Sequence, residues 1–144
     1  MGARKAATAL GRLMPNIGGP SQSKRSLLSS VIHSRLLYGA TIWSDRVTSI
    51  KKCTNLLQQT QRCAALRVAR CYRTVSDMAS LVLARMPPAQ LVTVGRKKRA
   101  DAKRLGTIIP RRDEIEEILH IWQALWESTH KSSWTRRPQI ATKY

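Results

Sequence analysis

One stripe of mostly apolar residues repeats at spacings of three and four through residues 46–71. That spacing places the whole stripe on one side of an α-helix. No run of six residues in the chain alternates between apolar and polar, the pattern expected of a half-buried strand. The sequence therefore predicts an all-α protein. The stripe consists of Val47, Ile50, Thr54, Leu57, Gln61, Ala64, Val68 and Cys71.

Further helical segments are predicted on both sides of that helix, each bounded by turn-forming residues. The first segment ends at Pro15, which is followed by the turn-forming run Asn-Ile-Gly-Gly-Pro. Pro87 separates two later segments. Thr74 and Asp77 have the spacing of a capping box, which favours a short helix after them. The predicted fold is a small bundle of about five to six helices. The other segments span residues 3–14, 21–43, 77–85, 88–105 and 113–127, with a frayed, poorly ordered tail after Trp134.

The charge of the chain is large and unevenly distributed. The 144 residues include 26 Lys and Arg against eight Asp and Glu. Residues 1–112 carry a net charge of +19, whereas residues 113–144 carry a net charge of −1. A surface that positive repels itself, so folding alone gives no reason for it, but a polyanionic partner does. The sequence therefore predicts a basic helical region, 1–112, followed by a Trp-containing helix and its tail, 113–144.

Two groups of cations are candidates for contact with a nucleic-acid backbone. One group falls on the side of the 46–71 helix opposite the apolar stripe. The basic run at residues 96–99 has three interpretations: a solvated helix face, a patch resembling a nuclear-import signal, or a phosphate contact. The second cationic face favours phosphate contact. The predicted contacts are Lys51, Lys52, Arg62, Arg70, Arg73, Arg96, Lys97, Lys98, Arg99, Lys103 and Arg104.

Residue types that support catalysis or metal binding are sparse. Two-metal phosphoryl chemistry needs clustered carboxylates, but Asp45, Asp77 and Asp101 stand isolated in the basic region. The cysteines are ten and eight residues apart, too far for a zinc knuckle, and no Gly-rich phosphate loop is present. We therefore expect no catalytic residues, no metal site and no cofactor.

Two further features bear on partners and location. Trp122 and Trp126 are four residues apart, which favours a packing pair over a platform for stacked bases. No stretch of eighteen uncharged apolar residues is present, so no membrane-spanning helix is predicted. We expect an intracellular protein, nuclear or cytoplasmic, with no membrane partner.

Several strings, read in order, carry a resemblance to a known family. They are LGRLMPNIGGP at residues 10–20, SRLLYGA at 34–40, LQQTQR at 57–62, CYRTVS at 71–76, LVLARMPPA at 81–89 and WQALW at 122–126. The ordered set resembles the polyprotein of arthropod non-LTR (LINE-like) retrotransposons, in the stretch just after the reverse-transcriptase palm. The resemblance implies a helical thumb that grips a template–primer duplex, with the palm and its metal-binding aspartates outside this chain.

The expected function is therefore non-catalytic binding of an RNA or RNA/DNA backbone without sequence preference. The alternative is a helical module for protein interaction or self-association, including contact with the missing palm, or a remnant of the element with no function. A free-standing enzyme is a third and weaker possibility, because the carboxylates that polymerase chemistry needs are missing.

Overall fold

Seven helices form the described part of the chain. The structure is a computed structural model that describes the backbone of residues 2–129 and the side chains of residues 5–46 and 49–129. The described residues contain no strand, so the all-α prediction is confirmed. The predicted frayed tail after Trp134 lies outside the described residues. The helices are α1 (Gly2–Arg12), α2 (Gln22–Leu36), α3 (Ala40–Ser49), α4 (Lys51–Val68), α5 (Asp77–Ala84), α6 (Ala89–Arg104) and α7 (Arg111–Ser128).

The chain between α2 and α4 differs from the prediction. The expected single helix at 21–43 ends at Leu36, and a separate helix, α3, crosses the expected gap before residue 46. Gly39 adopts the left-handed conformation with φ +64°, which glycine tolerates because it has no Cβ. Ile50 is extended and separates α3 from α4. These two breaks turn α3 away from the line of its neighbours and pack it against α6.

The start of α5 also differs in detail from the sequence prediction. Ser76, two residues after Thr74, is the N-cap residue, and its hydroxyl accepts a hydrogen bond from the amide of Ala79 at 3.4 Å. The carboxylate of Asp77 forms an ion pair with Arg62 of α4 at 2.8 Å. The predicted capping box is therefore wrong, although the helix that it predicted is present.

The main hydrophobic core is built from small side chains around two tryptophans. Alanines of α1, α4 and α5 pack with Ile32, Val68 and Met86. Trp122 and Trp126 of α7 are buried in the same cluster, so the predicted packing pair is confirmed. A smaller cluster joins the end of α2 to α4 and α6 through Leu36, Leu37, Leu57 and Ala89. The described part of region 113–144 thus shares one core with region 1–112.

A buried arginine holds the loop between α1 and α2. Arg25 is 0% exposed, and its guanidinium donates hydrogen bonds only to backbone carbonyls. The acceptors are Met14 at 3.3 Å, Pro20 at 2.8 Å, Arg67 at 2.8 Å, and Pro15. Arg67 lies in the last turn of α4, so this one side chain ties the loop to both α2 and α4. The carbonyl oxygens replace water as hydrogen-bond acceptors around the cation.

The packing of α7 on α6 depends on a close approach at Gly95. A Cβ at this position would lie 3.0 Å from Cδ1 of Ile118 and 3.2 Å from Cγ of Glu114. Glycine therefore allows the two helices to meet with little separation. None of the described helices combines the length and the apolar character that crossing a membrane requires.

Candidate nucleic-acid interface

A large groove runs between α2, α6 and the beginning of α7. Its volume is about 1550 Å³. Pockets for small molecules usually have volumes of roughly 300–1000 Å³, so the groove is large enough for an extended ligand. The end of α5 and the loop before α7 complete its lining. We refer to this cavity as the groove.

Five cations line the groove: Arg85, Arg96, Arg99, Lys103 and Arg111. Three of them are on α6 at spacings of three and four, so they share one side of that helix. Arg111 is the first residue of α7, where the partial positive charge of the helix N-terminus adds to its own. The groove is therefore strongly positive.

A single carboxylate lies among the groove residues. Glu114 is buried against the α6–α7 contact, and its Oε2 is 3.0 Å from a guanidinium nitrogen of Arg99. Arg96 donates a hydrogen bond of 3.4 Å to the carbonyl of Leu37. Lys103 and Arg111 form none of the ion pairs found among the described side chains, so an anion has direct access to both.

The opposite wall of the groove is a row of hydroxyl groups on α2. Ser23, Ser26 and Ser30 repeat at spacings of three and four, and His33 continues the row. The Ser30 hydroxyl donates to the carbonyl of Leu27 at 2.7 Å, which leaves its oxygen lone pairs facing outward as acceptors. A serine row facing an arginine row gives a ligand both neutral and charged hydrogen-bonding partners.

His33 connects the groove to the interior through Gln61. Gln61 is 1% exposed; its Oε1 accepts the amide of Ala89 at 2.8 Å, and its Nε2 donates to the carbonyl of Pro87 at 2.7 Å. The same Nε2 lies 2.9 Å from Nε2 of His33, which must therefore accept a hydrogen bond and be unprotonated. Burial, with a smaller contribution from the charge of Arg96, lowers the pKa of His33 below its usual range.

The structure brings together only part of the predicted contact set. Arg96, Arg99 and Lys103 line the groove, whereas their neighbours on α6 point elsewhere and pair with carboxylates. Lys97 pairs with Asp45 of α3, Lys98 with Glu117 of α7 at 2.6 Å, and Arg104 with Asp101 at 3.6 Å. The run at 96–99 is thus divided between residues that line the groove and residues that pair with carboxylates outside it.

The predicted contacts on and after α4 are spread over a wider area. Arg62 donates two hydrogen bonds of 2.7 Å, to the carbonyls of Arg73 and Val75, besides its ion pair with Asp77. Arg70 donates to the carbonyl of Pro20 at 3.0 Å. Lys51 and Lys52 are exposed in the first turn of α4. Arg73 is exposed in the loop before α5.

A second cavity, of about 540 Å³, lies between α4, α5 and α7. Arg62 and Asp77 both line it, and they neutralise each other through their ion pair. Its other walls are largely apolar, with Leu57, Leu81 and Leu91 among them. We refer to this cavity as the cleft; it shows no excess of positive charge.

Sequence reasoning missed Arg85, Arg111 and the α2 hydroxyls. The spacing of Ser23, Ser26 and Ser30 was a visible signal, since it marks one helix side with polar, uncharged residues. Arg85 gave no such signal, because it follows α5 in a left-handed turn with φ +54° where glycine is usual. Arg111 enters the groove only through the packing of α7 on α6.

Among the described residues no group of three His, Cys, Asp or Glu side chains is arranged to hold a metal ion. No family model, curated protein or solved structure matches this chain. The described residues form a small all-α fold with a cation-rich groove.

Proposed function

We propose that this chain is a non-catalytic helical module that binds the backbone of RNA or of an RNA/DNA hybrid without sequence preference. The observation that carries the proposal is the groove, in which five cations and one carboxylate line a single extended cavity. Phosphate groups are the ligands that such a charge balance favours, and each contact gains free energy from released counterions.

The groove cations form two groups. One group is open to direct phosphate contact, and the other is held in position by bonds to the protein. Lys103 and Arg111 are accessible for direct phosphate contact. The bonds that hold Arg96 to Leu37 and Arg99 to Glu114 limit the freedom of those two guanidinium groups. Limited freedom reduces the entropy lost when a ligand binds. Contacts of this kind fix the position of a backbone and do not read bases, which supports binding without sequence preference.

The proposal includes a thumb-like origin for the segment, as the resemblance to non-LTR retrotransposon polyproteins implies. The three acids of region 1–112 support a non-catalytic role. Asp45, Asp77 and Asp101 each pair with a different Lys or Arg, so they do not form the carboxylate cluster that two-metal nucleotidyl transfer requires. The palm that would supply such a cluster is the proposed intramolecular partner.

A salt titration tests this proposal. The affinity for a labelled RNA/DNA hybrid is measured by fluorescence anisotropy over a range of salt concentrations. Five phosphate contacts predict a slope of log affinity against log salt of about −3.5 to −4.5. A slope near zero would contradict backbone binding.

Single-charge variants locate the contacts. Lys103→Gln and Arg111→Gln should each reduce the magnitude of the slope by about 0.7–0.9, because each removes one phosphate contact. The matched control is Arg35→Gln, which removes one exposed cation from α2 outside the groove. An equal loss in the control would show that net charge, and not the groove, determines binding.

A second function, self-association or protein interaction, is favoured by apolar side chains that face solvent. Leu27, Val31, Tyr38 and Ile42 are all exposed on or between α2 and α3. Large exposed apolar patches often bind other proteins. Size-exclusion chromatography at high salt separates the two functions, since apolar association persists there and polyanion bridging does not. A monomer at high salt would exclude stable self-association.

A further inference from the structure

Several aliphatic side chains line the groove, and two of them face solvent. Ile108 lies in the loop between α6 and α7 and is 85% exposed, and Leu83 in the last turn of α5 is 45% exposed. Val92, Ile109 and Ile115 are half-buried beside them. A cavity that bound only phosphate would gain nothing from this apolar surface.

The two exposed aliphatic residues of the groove are close in sequence to groove cations. Leu83 is two residues before Arg85, and Ile108 is between Lys103 and Arg111. Each exposed aliphatic side chain is therefore a close neighbour in sequence of a groove cation. This arrangement suits a ligand that presents charge and apolar surface side by side.

Duplex and single-stranded nucleic acids differ in this respect. A duplex buries the faces of its bases in the stack and presents mainly phosphates and sugars, whereas an unpaired strand exposes its base faces. Proteins that bind single strands combine a positive groove along the backbone with side chains, usually aromatic, on which the bases stack. Aliphatic side chains cover a base less well than aromatic ones, so the expected preference is moderate.

We infer that the groove holds an unpaired strand, with its phosphates on the cations of α6 and α7 and its bases against the exposed aliphatic side chains that line the groove. The inference rests on the proposed function and deepens it, because it names the form of nucleic acid that the groove selects. The row from Arg96 to Lys103 extends over about 10 Å of helix. The α2 hydroxyls supply additional hydrogen bonds to the same backbone.

The test compares one RNA in two forms. A labelled RNA of about fourteen nucleotides, with a mixed sequence that does not fold on itself, is titrated alone and after annealing to its complement. The unpaired strand should bind about tenfold more tightly than the duplex at the same salt concentration. Equal or tighter duplex binding would overturn the inference and leave the proposed function intact. Absence of salt-dependent binding to both forms would overturn the proposed function as well.

A variant of an aliphatic residue that lines the groove supplies the second measurement. Ile108→Ser should weaken binding of the unpaired strand by roughly three- to tenfold, because it removes an apolar base contact, and should leave duplex affinity unchanged. The matched control is Ile42→Ser, since Ile42 is 86% exposed on α3 and lies outside the groove. If Ile108→Ser has no effect, or if polyglutamate competes as well as the unpaired strand, charge alone explains binding and the inference is wrong.

Discussion

The groove and the α4 side of the molecule both contain several Lys or Arg side chains, but these side chains have different partners in the two regions. We define the α4 side by Arg25, Arg62 and Arg70, which donate to backbone carbonyls around α4. In the groove, Lys103 and Arg111 have no carboxylate partner among the described side chains. On the α4 side the three arginines bind the protein itself, whereas in the groove Lys103 and Arg111 are exposed to solvent.

The difference shows that cationic periodicity alone does not identify a ligand surface. Arg62 and Lys103 are both cations on amphipathic helices. Arg62 is adjacent to the loop before α5, whose unpaired carbonyls need donors. Lys103 is beside an open cavity. Local surroundings therefore decide whether a cation stabilises the fold or remains available to a ligand.

The largest effect is expected at Arg25. Arg25→Met should lower the free energy of unfolding by about 3 kcal/mol or more, because several buried carbonyls lose their donors. Denaturant titration measures the change. Arg35→Met, at an exposed position of the same helix, should change stability by less than about 0.5 kcal/mol. A small change in the free energy of unfolding for Arg25→Met would contradict a structural role for the arginines of the α4 side.

A smaller loss is expected at Arg62. Arg62→Gln should lower the free energy of unfolding by about 1–2 kcal/mol, since two carbonyl contacts and a partly exposed ion pair are lost. The slope of affinity against salt should stay unchanged. Lys103→Gln should show the reverse pattern, with little change in unfolding and a reduced slope. If both variants lose nucleic-acid binding equally, the distinction between the two regions fails.

The pH dependence of stability tests the link between the groove and the interior. Because the pKa of His33 is lowered in the folded protein, the unfolded chain binds the proton more readily. The contribution of neutral His33 to the free energy of unfolding is complete above about pH 6.5. It is lost as the pH falls below that value, by at most about 1.4 kcal/mol per pH unit.

Denaturant titrations between about pH 7 and pH 5 measure that change. His33→Gln should flatten the dependence, whereas His120→Gln, at an exposed position of α7, should leave it as it is. If the native protein and the His33→Gln variant respond alike to pH, the Gln61–His33 hydrogen bond does not hold the imidazole neutral.

The smallest expected effects on stability concern two arginines with strained backbones. Arg70 and Arg85 both have positive φ, at 55° and 54°. Arg85→Gly should relieve backbone strain and should weaken nucleic-acid binding, because a groove cation is lost. Arg70→Gly should relieve the same kind of strain, lose the bond to Pro20 and retain nucleic-acid binding. Thermal unfolding and anisotropy measure both quantities.

The sequence predicted the later helices well and the α2–α4 segment poorly. The predicted spans 77–85, 88–105 and 113–127 differ by one or two residues from α5, α6 and α7, because prolines and caps mark their ends locally. The break at Gly39 has only one weak local signal, a glycine after a run of apolar residues. Tertiary packing of α3 on α6 decides that the chain turns there.

The presence of a cation-rich surface was predictable from the sequence, but its position was predictable only in part. The charge excess predicted a polyanion-binding surface, and Arg96, Arg99 and Lys103 share a helix side that spacing reveals. The pairing of Lys97 with Asp45 and of Arg62 with Asp77 joins residues far apart in the chain, which periodicity cannot anticipate. Arg85 and Arg111 meet the others only when three helices assemble.

One salt titration with two double variants tests the central claim most directly. Lys103→Gln with Arg111→Gln removes two groove cations, and Lys51→Gln with Lys52→Gln removes two exposed cations of α4. Both variants lose the same charge. We predict that the groove variant reduces the magnitude of the slope by about 1.5 and that the α4 variant leaves it unchanged. Equal reductions, or a reduction only in the α4 variant, would contradict the assignment of nucleic-acid binding to the groove.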